Sequence, residues 1–128
     1  MTKKKILIAE DEEMSFFCDV LKEEGYETFH ADDGEKAIEM LKKHQPEVLL
    51  LDIRLPKYHG GEILQELKER KISPKTKVII WTGFDNYGEP RKTIEEKYGE
   101  QVAYYMKKPV SLEDLLAKVR DLMSREQK

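Results

Sequence analysis

Apolar residues in this chain gather in short runs, separated by stretches of helical period. Five runs, at 4–9, 27–30, 47–51, 77–81 and 102–106, are brief; all but 27–30, where Thr28 and Phe29 carry the strand signal, are rich in Val, Ile, Leu or aromatic residues. Between them apolar positions recur every three or four residues: Met14, Phe17, Cys18 and Leu21; Ala37, Ile38 and Leu41; Ile63, Leu64 and Leu67; Leu112, Leu115, Leu116, Val119 and Leu122. The first pattern predicts strands and the second amphipathic helices, with Pro46 stopping the second helix. Short apolar strands alternating with helices imply an α/β fold with a parallel sheet covered on both faces. Right-handed crossovers leave few topologies.

The segment 83–101 breaks the regularity. Residues 84–88 read as a loop, and Pro90 suits the first position of a helix that Gly99 would end. Its apolar content is Ile94 and Tyr98, so a helix there is expected to dock weakly.

Length and charge narrow the class. A chain of 128 residues suits one domain over 1–128, with a frayed tail at 124–128; such a chain buries roughly two-thirds of its unfolded surface. Lys plus Arg number 23 and Asp plus Glu 26, a net charge of −3 with both signs interspersed. That balance does not favour nucleic acid, which needs a basic face. The lysines at 3–5 are followed by only Ile6 to Ala9 before the acids, short of the roughly 7–15 apolar residues of a secretory segment. No run approaches a membrane span, and a cytoplasmic location is expected. Cys18 is the single cysteine, which excludes an intrachain disulfide; its spacing predicts a small buried core residue.

The strand ends carry the chemistry. The first run leads into Glu10-Asp11, the third into Asp52, the fourth into Thr82 and the fifth into Lys108-Pro109. In a parallel sheet these ends share one edge, where open α/β sheets place their sites. Two carboxylates about 4 Å apart repel by roughly 1 kcal/mol in water and about 4 at an effective dielectric of 20. Three converging carboxylates need a cation, and hard oxygen ligands select Mg²⁺ or a similar ion such as Mn²⁺. The competing role for 10–13 is to cap the first helix at its positive dipole end. We assign Glu12 and Glu13 to that role and Asp11 to metal and cap together. Lys108 is a compact charge suited to an anion, aimed by a turn that Pro109 fixes; Lys107 is expected to point outward. Thr82 taken alone equally suits an ordinary strand-end threonine.

The ordered set is far more specific than its members. It resembles the receiver domain of two-component response regulators over essentially the whole chain. Thr82 lies thirty residues after Asp52, Gly60 eight after it, and Tyr105 three before Lys108, as in that family. The resemblance implies a flavodoxin-like doubly wound (βα)5 fold with sheet order 2-1-3-4-5. It makes Asp52 the phosphoacceptor, taking a phosphoryl group from a sensor histidine kinase or a histidine phosphotransfer protein. Glu10, directly or through water, Asp11, Asp52 and the backbone carbonyl of Arg54 would hold Mg²⁺ or Mn²⁺. Lys108 and Thr82 would bind phosphoryl oxygens, and Tyr105 would swing toward the space Thr82 leaves. That movement would change a face read by a downstream protein effector. Pro109, Gly60 and Gly83 take structural roles. Such a protein is a self-phosphorylating and self-dephosphorylating switch, not a turnover enzyme.

The chain departs from the family pattern. Gly83 stands where Ala is usual, and Gly61 where an apolar residue is common, which loosens the start of the third helix. Thr82 to Lys108 is longer than usual and lacks the Gly-Ala pair before the fifth strand, so a partner surface particular to this protein is expected there. Arg54 and Phe84, two residues beyond Asp52 and Thr82, would shield an acyl phosphate and slow its hydrolysis.

Other readings are weaker. A haloacid-dehalogenase-type phosphatase wants a second Asp where Arg54 stands. A nucleotide or flavin binder needs a phosphate cradle after the first strand, which the acids at 10–13 would repel. An interaction module that works unphosphorylated stays open. His30 ends a strand, His44 lies in a last helical turn where a cation is favoured, and His59 follows Asp52; none has ligand spacing or reads as a catalytic base. Trp81 reads as core.

Overall fold

The computed structural model describes residues 3–10, 15–52, 60–82, 96, 98–107 and 110–124. Among them the chain forms β1 (Lys5–Ala9), α1 (Ser15–Glu23), β2 (Glu27–Ala31), α2 (Gly34–His44), β3 (Val48–Leu51), α3 (Gly60–Glu69), β4 (Lys77–Thr82), β5 (Val102–Lys107) and α4 (Leu112–Ser124). The strands make one parallel sheet in the order β2-β1-β3-β4-β5, as expected. Strand ends fall within a residue of their predicted places.

Successive side chains of a strand point to opposite faces, and the central strands are apolar on both. Leu7, Leu49, Leu51, Val78 and Ile80 pack with Ala37, Leu41, Ile63, Leu64 and Leu67 of α2 and α3. Ile6, Ile8, Leu50, Ile79 and Trp81 pack on the other face with Leu21 of α1 and Leu115, Val119 and Leu122 of α4. All four residues of β3 are fully buried. Each such side chain contributes roughly 1.5–3 kcal/mol of burial, so β3 is held as rigidly as any element here.

Caps fix the helix ends. The extended Asp33 accepts the N–H of Lys36 at 2.9 Å and starts α2, and the Ser111 hydroxyl accepts the N–H of Asp114 at 3.3 Å at the start of α4. Gly25 closes the turn after α1 at φ +99, a conformation that costs glycine little. Ser124, expected in the frayed tail, instead closes α4, its hydroxyl donating to the Asp121 carbonyl at 2.9 Å.

Three local expectations need correction. Cys18 is half-buried at the margin of the α1 core, not enclosed, because Leu21 fills the centre of that stripe. Tyr98 is firmly docked: residues 96 and 98 are helical, and the Tyr98 ring is only 4% exposed against the α3 core. One large aromatic anchors a turn that its neighbours' polarity argued against. The His44 ring stacks on Phe29 at 3.9 Å, and burial there disfavours the cation that its helix end would attract.

Candidate functional site

Strand register brings the acids of the first and third runs together. Ala9 lies opposite both Ala31 and Leu51, so the next residues, Glu10 and Asp52, leave the sheet side by side, on strands roughly 4.8 Å apart. The Asp52 N–H donates to the Ala9 carbonyl at 2.9 Å and the Glu10 N–H to the Ala31 carbonyl at 3.0 Å. Each acid is thus held by the last rung of a ladder. Glu10 is 0% exposed and Asp52 7%. Two carboxyl groups this buried, on neighbouring strand ends, are costly as bare anions. Their oxygen donors fit a hard divalent cation, which offsets both charges at once.

The fourth and fifth strands arrive at the same edge. Leu51 pairs with Ile80, which sets Asp52 level with Trp81 and leaves Thr82 one step beyond. Thr82 pairs with Lys107, the residue before Lys108. Lys107 is exposed, as expected, and Trp81 is core at 1% exposure. Tyr105 is half-buried beside Ile80, against the α2 and α3 core. Gly60 opens α3, and Gly61 follows it within the helix. Asp11, Arg54, His59, Gly83, Phe84, Lys108 and Pro109 lie outside the described residues.

His30 is a residue the sequence passed over. Its Nε2 lies 2.8 Å from the Glu10 carbonyl oxygen. No motif marks this contact, because it follows only from the β1–β2 register.

A buried acid pair at the carboxyl edge of a 2-1-3-4-5 sheet fits the class of protein that the sequence resembles, and the comparisons agree. Residues 6–120 match the response regulator receiver domain. The chain belongs to that family, and it is a receiver domain of two-component signalling. It is 30% identical over 125 residues to the transcriptional regulatory protein PdtaR of Mycobacterium tuberculosis, covering 95% of this chain and 58% of that protein. It thus spans little more than half of that relative. It is also 30% identical over 122 residues to the polar-differentiation response regulator DivK of Brucella abortus, covering 94% of this chain and 96% of the other. The receiver domain of the Francisella response regulator 1452 superposes with a TM-score of 0.81 at 26% identity, over 98% of this chain and all of that one (100%). The family is a signalling switch. No helix among the described residues is long and apolar enough to cross a membrane.

Proposed function

We propose that Asp52 is the phosphoacceptor of a cytoplasmic signalling switch formed by the whole chain, 1–128. The observation that carries this reading is the position of Asp52: one residue past a fully buried strand, 7% exposed, beside the buried Glu10. Rigid backbone sets its carboxylate in place while the sheet edge leaves an approach. A carboxylate oxygen attacks the phosphorus of a phosphohistidine. An O–P bond forms, the N–P bond breaks, and the departing imidazole keeps the bonding pair and takes up a proton. The donor is a histidine kinase or a histidine phosphotransfer protein.

Glu10, Asp11, Asp52 and the carbonyl of Arg54 would hold Mg²⁺ or Mn²⁺, whose charge offsets that of the phosphoryl oxygens during transfer. Lys108 pairs with a phosphoryl oxygen, and the Thr82 hydroxyl donates to another. Tyr105 then turns toward the end of β4, changing the surface offered to a protein effector. Pro109, Gly60 and Gly83 shape the turns around these groups. Arg54 and Phe84 shield the acyl phosphate, and Phe84→Ala is expected to speed its loss. The long segment 83–101 serves a protein partner, not nucleic acid; deletion of 89–92 is expected to weaken that binding.

Mass spectrometry after treatment with acetyl phosphate and Mg²⁺ tests the central claim. Wild type should gain a single phosphoryl adduct, and Asp52→Asn none. An adduct that persists in the Asn variant would place the acceptor elsewhere. Steady release of phosphate from simple esters would instead favour a phosphatase.

A further inference from the structure

The β1–β2 ladder ends on an imidazole. Ile8 lies opposite His30 and Ala9 opposite Ala31, and Glu10 extends the pairing through its N–H to the Ala31 carbonyl at 3.0 Å. Strand β2 stops at Ala31, because Asp33 turns the chain into α2 as its cap. At this point the His30 ring reaches back, and its Nε2 meets the Glu10 carbonyl at 2.8 Å. A carbonyl oxygen can only accept, so Nε2 carries the proton. An exposed side chain thus supplies a donor where the backbone of β2 has left the sheet.

The carbonyl it holds belongs to the planar peptide that joins Glu10 to Asp11. Hydrogen bonds at both ends of Glu10 therefore fix its backbone. Clustered carboxylates repel one another until a cation arrives, and that repulsion would rotate an unsecured peptide. We propose that His30 is a positioning residue for divalent-cation binding: its Nε2–H holds the Glu10 carbonyl, so that the Glu10 backbone is set beside Asp52 before the ion enters. This rests on the cation site proposed above. Groups that orient metal ligands without touching the metal commonly change affinity by roughly ten- to a hundredfold. The His30 contact is partly open to solvent, which puts it at the lower end.

The test is a Mg²⁺ titration of the full chain, read from backbone amide shifts around Asp52, with urea midpoints measured alongside. Wild type, His30→Ala, His30→Leu and His30→Gln are compared. The Ala and Leu variants should bind Mg²⁺ roughly tenfold more weakly, at nearly unchanged urea midpoints, because the exposed ring fills no core. The Gln variant keeps an N–H donor and should recover most of the affinity. If the Ala variant does not fold, the contrast between Leu and Gln decides. Equal affinity in wild type and the donor-free variants would overturn the role of His30 alone. So would a loss that Gln shares and that follows a fall in urea midpoint. Absence of any Mg²⁺-dependent shift in wild type would overturn the cation site itself, and this inference with it.

Discussion

The Tyr98 hydroxyl donates to Oε1 of Gln65 across 2.6 Å, joining the turn before β5 to α3. The ring beneath lies in the core with Leu64, Leu67 and Val102, and the Lys68 ammonium sits 5.8 Å from its centroid. The Tyr98 carbonyl accepts the N–H of Gln101, whose own carbonyl accepts the N–H of Val78. A short relay thus runs from α3 to the first rung between β4 and β5. Tyr98→Phe should cost about 1 kcal/mol for the lost hydrogen bond, and Tyr98→Ala about 3–5 kcal/mol for the emptied volume. Adding Gln65→Ala to the Phe variant should cost little more, since the shared bond is already gone. Urea unfolding of the double-mutant set measures this, and full additivity would show that the pair does not interact.

Gln45 ends α2 in the left-handed region at φ 50 and ψ 58, unusual for a residue with a side chain. Its amide nitrogen reaches three carbonyls: Leu41 at 3.0 Å, Lys42 at 3.1 Å and Ile72 at 2.6 Å. The last joins the end of α2 to the turn before β4, where Thr76 donates to the Pro46 carbonyl at 2.6 Å. These bonds offset the backbone strain. Gln45→Gly relieves the strain but loses the bonds, so it should change stability by less than about 1 kcal/mol. Gln45→Glu sets a carboxylate against carbonyl oxygens and should cost about 1–3 kcal/mol. Thermal unfolding of the two variants checks the order, and a Glu variant as stable as the Gly one would refute it.

His44 gives the fold a pH dependence of definite sign. Its ring stacks on Phe29, 3.9 Å between centroids and 16° between planes. Burial there, then the charges of Lys43 and Lys5, hold its pKa below the ordinary 6.5, against a smaller opposing pull from Glu27. The folded chain therefore binds this proton more weakly than the unfolded chain does. The contribution to stability is complete above 6.5 and is lost as pH falls through the lower folded value. Wild type should lose stability on mild acidification faster than His44→Gln, with the imidazole titrating below its usual range by NMR. Titration at or above that range would contradict the packing described.

The sequence made some of these features plain and hid others, for physical reasons. The place of Asp52 was legible because a fully apolar run ending in an acid puts that acid where a buried strand leaves the sheet, and the two cores followed from helical and strand period alone. The His30 contact was invisible: it joins a side chain to a backbone carbonyl twenty residues away, and only strand register brings them together. Tyr98 was underrated because periodicity counts apolar positions, while a single aromatic can bury as much surface as two aliphatic residues. His44 was misjudged because the helix dipole acts locally, whereas the strongest opposing effect is burial against Phe29 on a neighbouring strand, helped by the charges of Lys43 and Lys5.

The face that Tyr105 occupies is kept by a bulge that absorbs one extra residue. Val78 pairs with Val102 but Ile79 pairs with Tyr104, so Ala103 is an insertion in β5. Strict alternation from Val102, which packs with α2 and α3, would turn Tyr105 toward α1 and α4 instead. With the bulge, Tyr105 stands beside Ile80 on the α2–α3 side, and Tyr104 and Met106 join the other core. Deleting Ala103 should therefore leave Tyr105 where it is, because the remaining residues then alternate regularly; the cost should be about 1 kcal/mol, within the ordinary range for a single change. Inserting an alanine between Tyr104 and Tyr105 should instead turn Tyr105 and Met106 over together, costing about 2–5 kcal/mol as Met106 leaves its core. Nuclear Overhauser contacts from the Tyr105 ring to Val78 and Ile80 distinguish the two arrangements. A deletion variant in which that ring contacts Leu115 would show that Ala103 is not the residue the bulge absorbs.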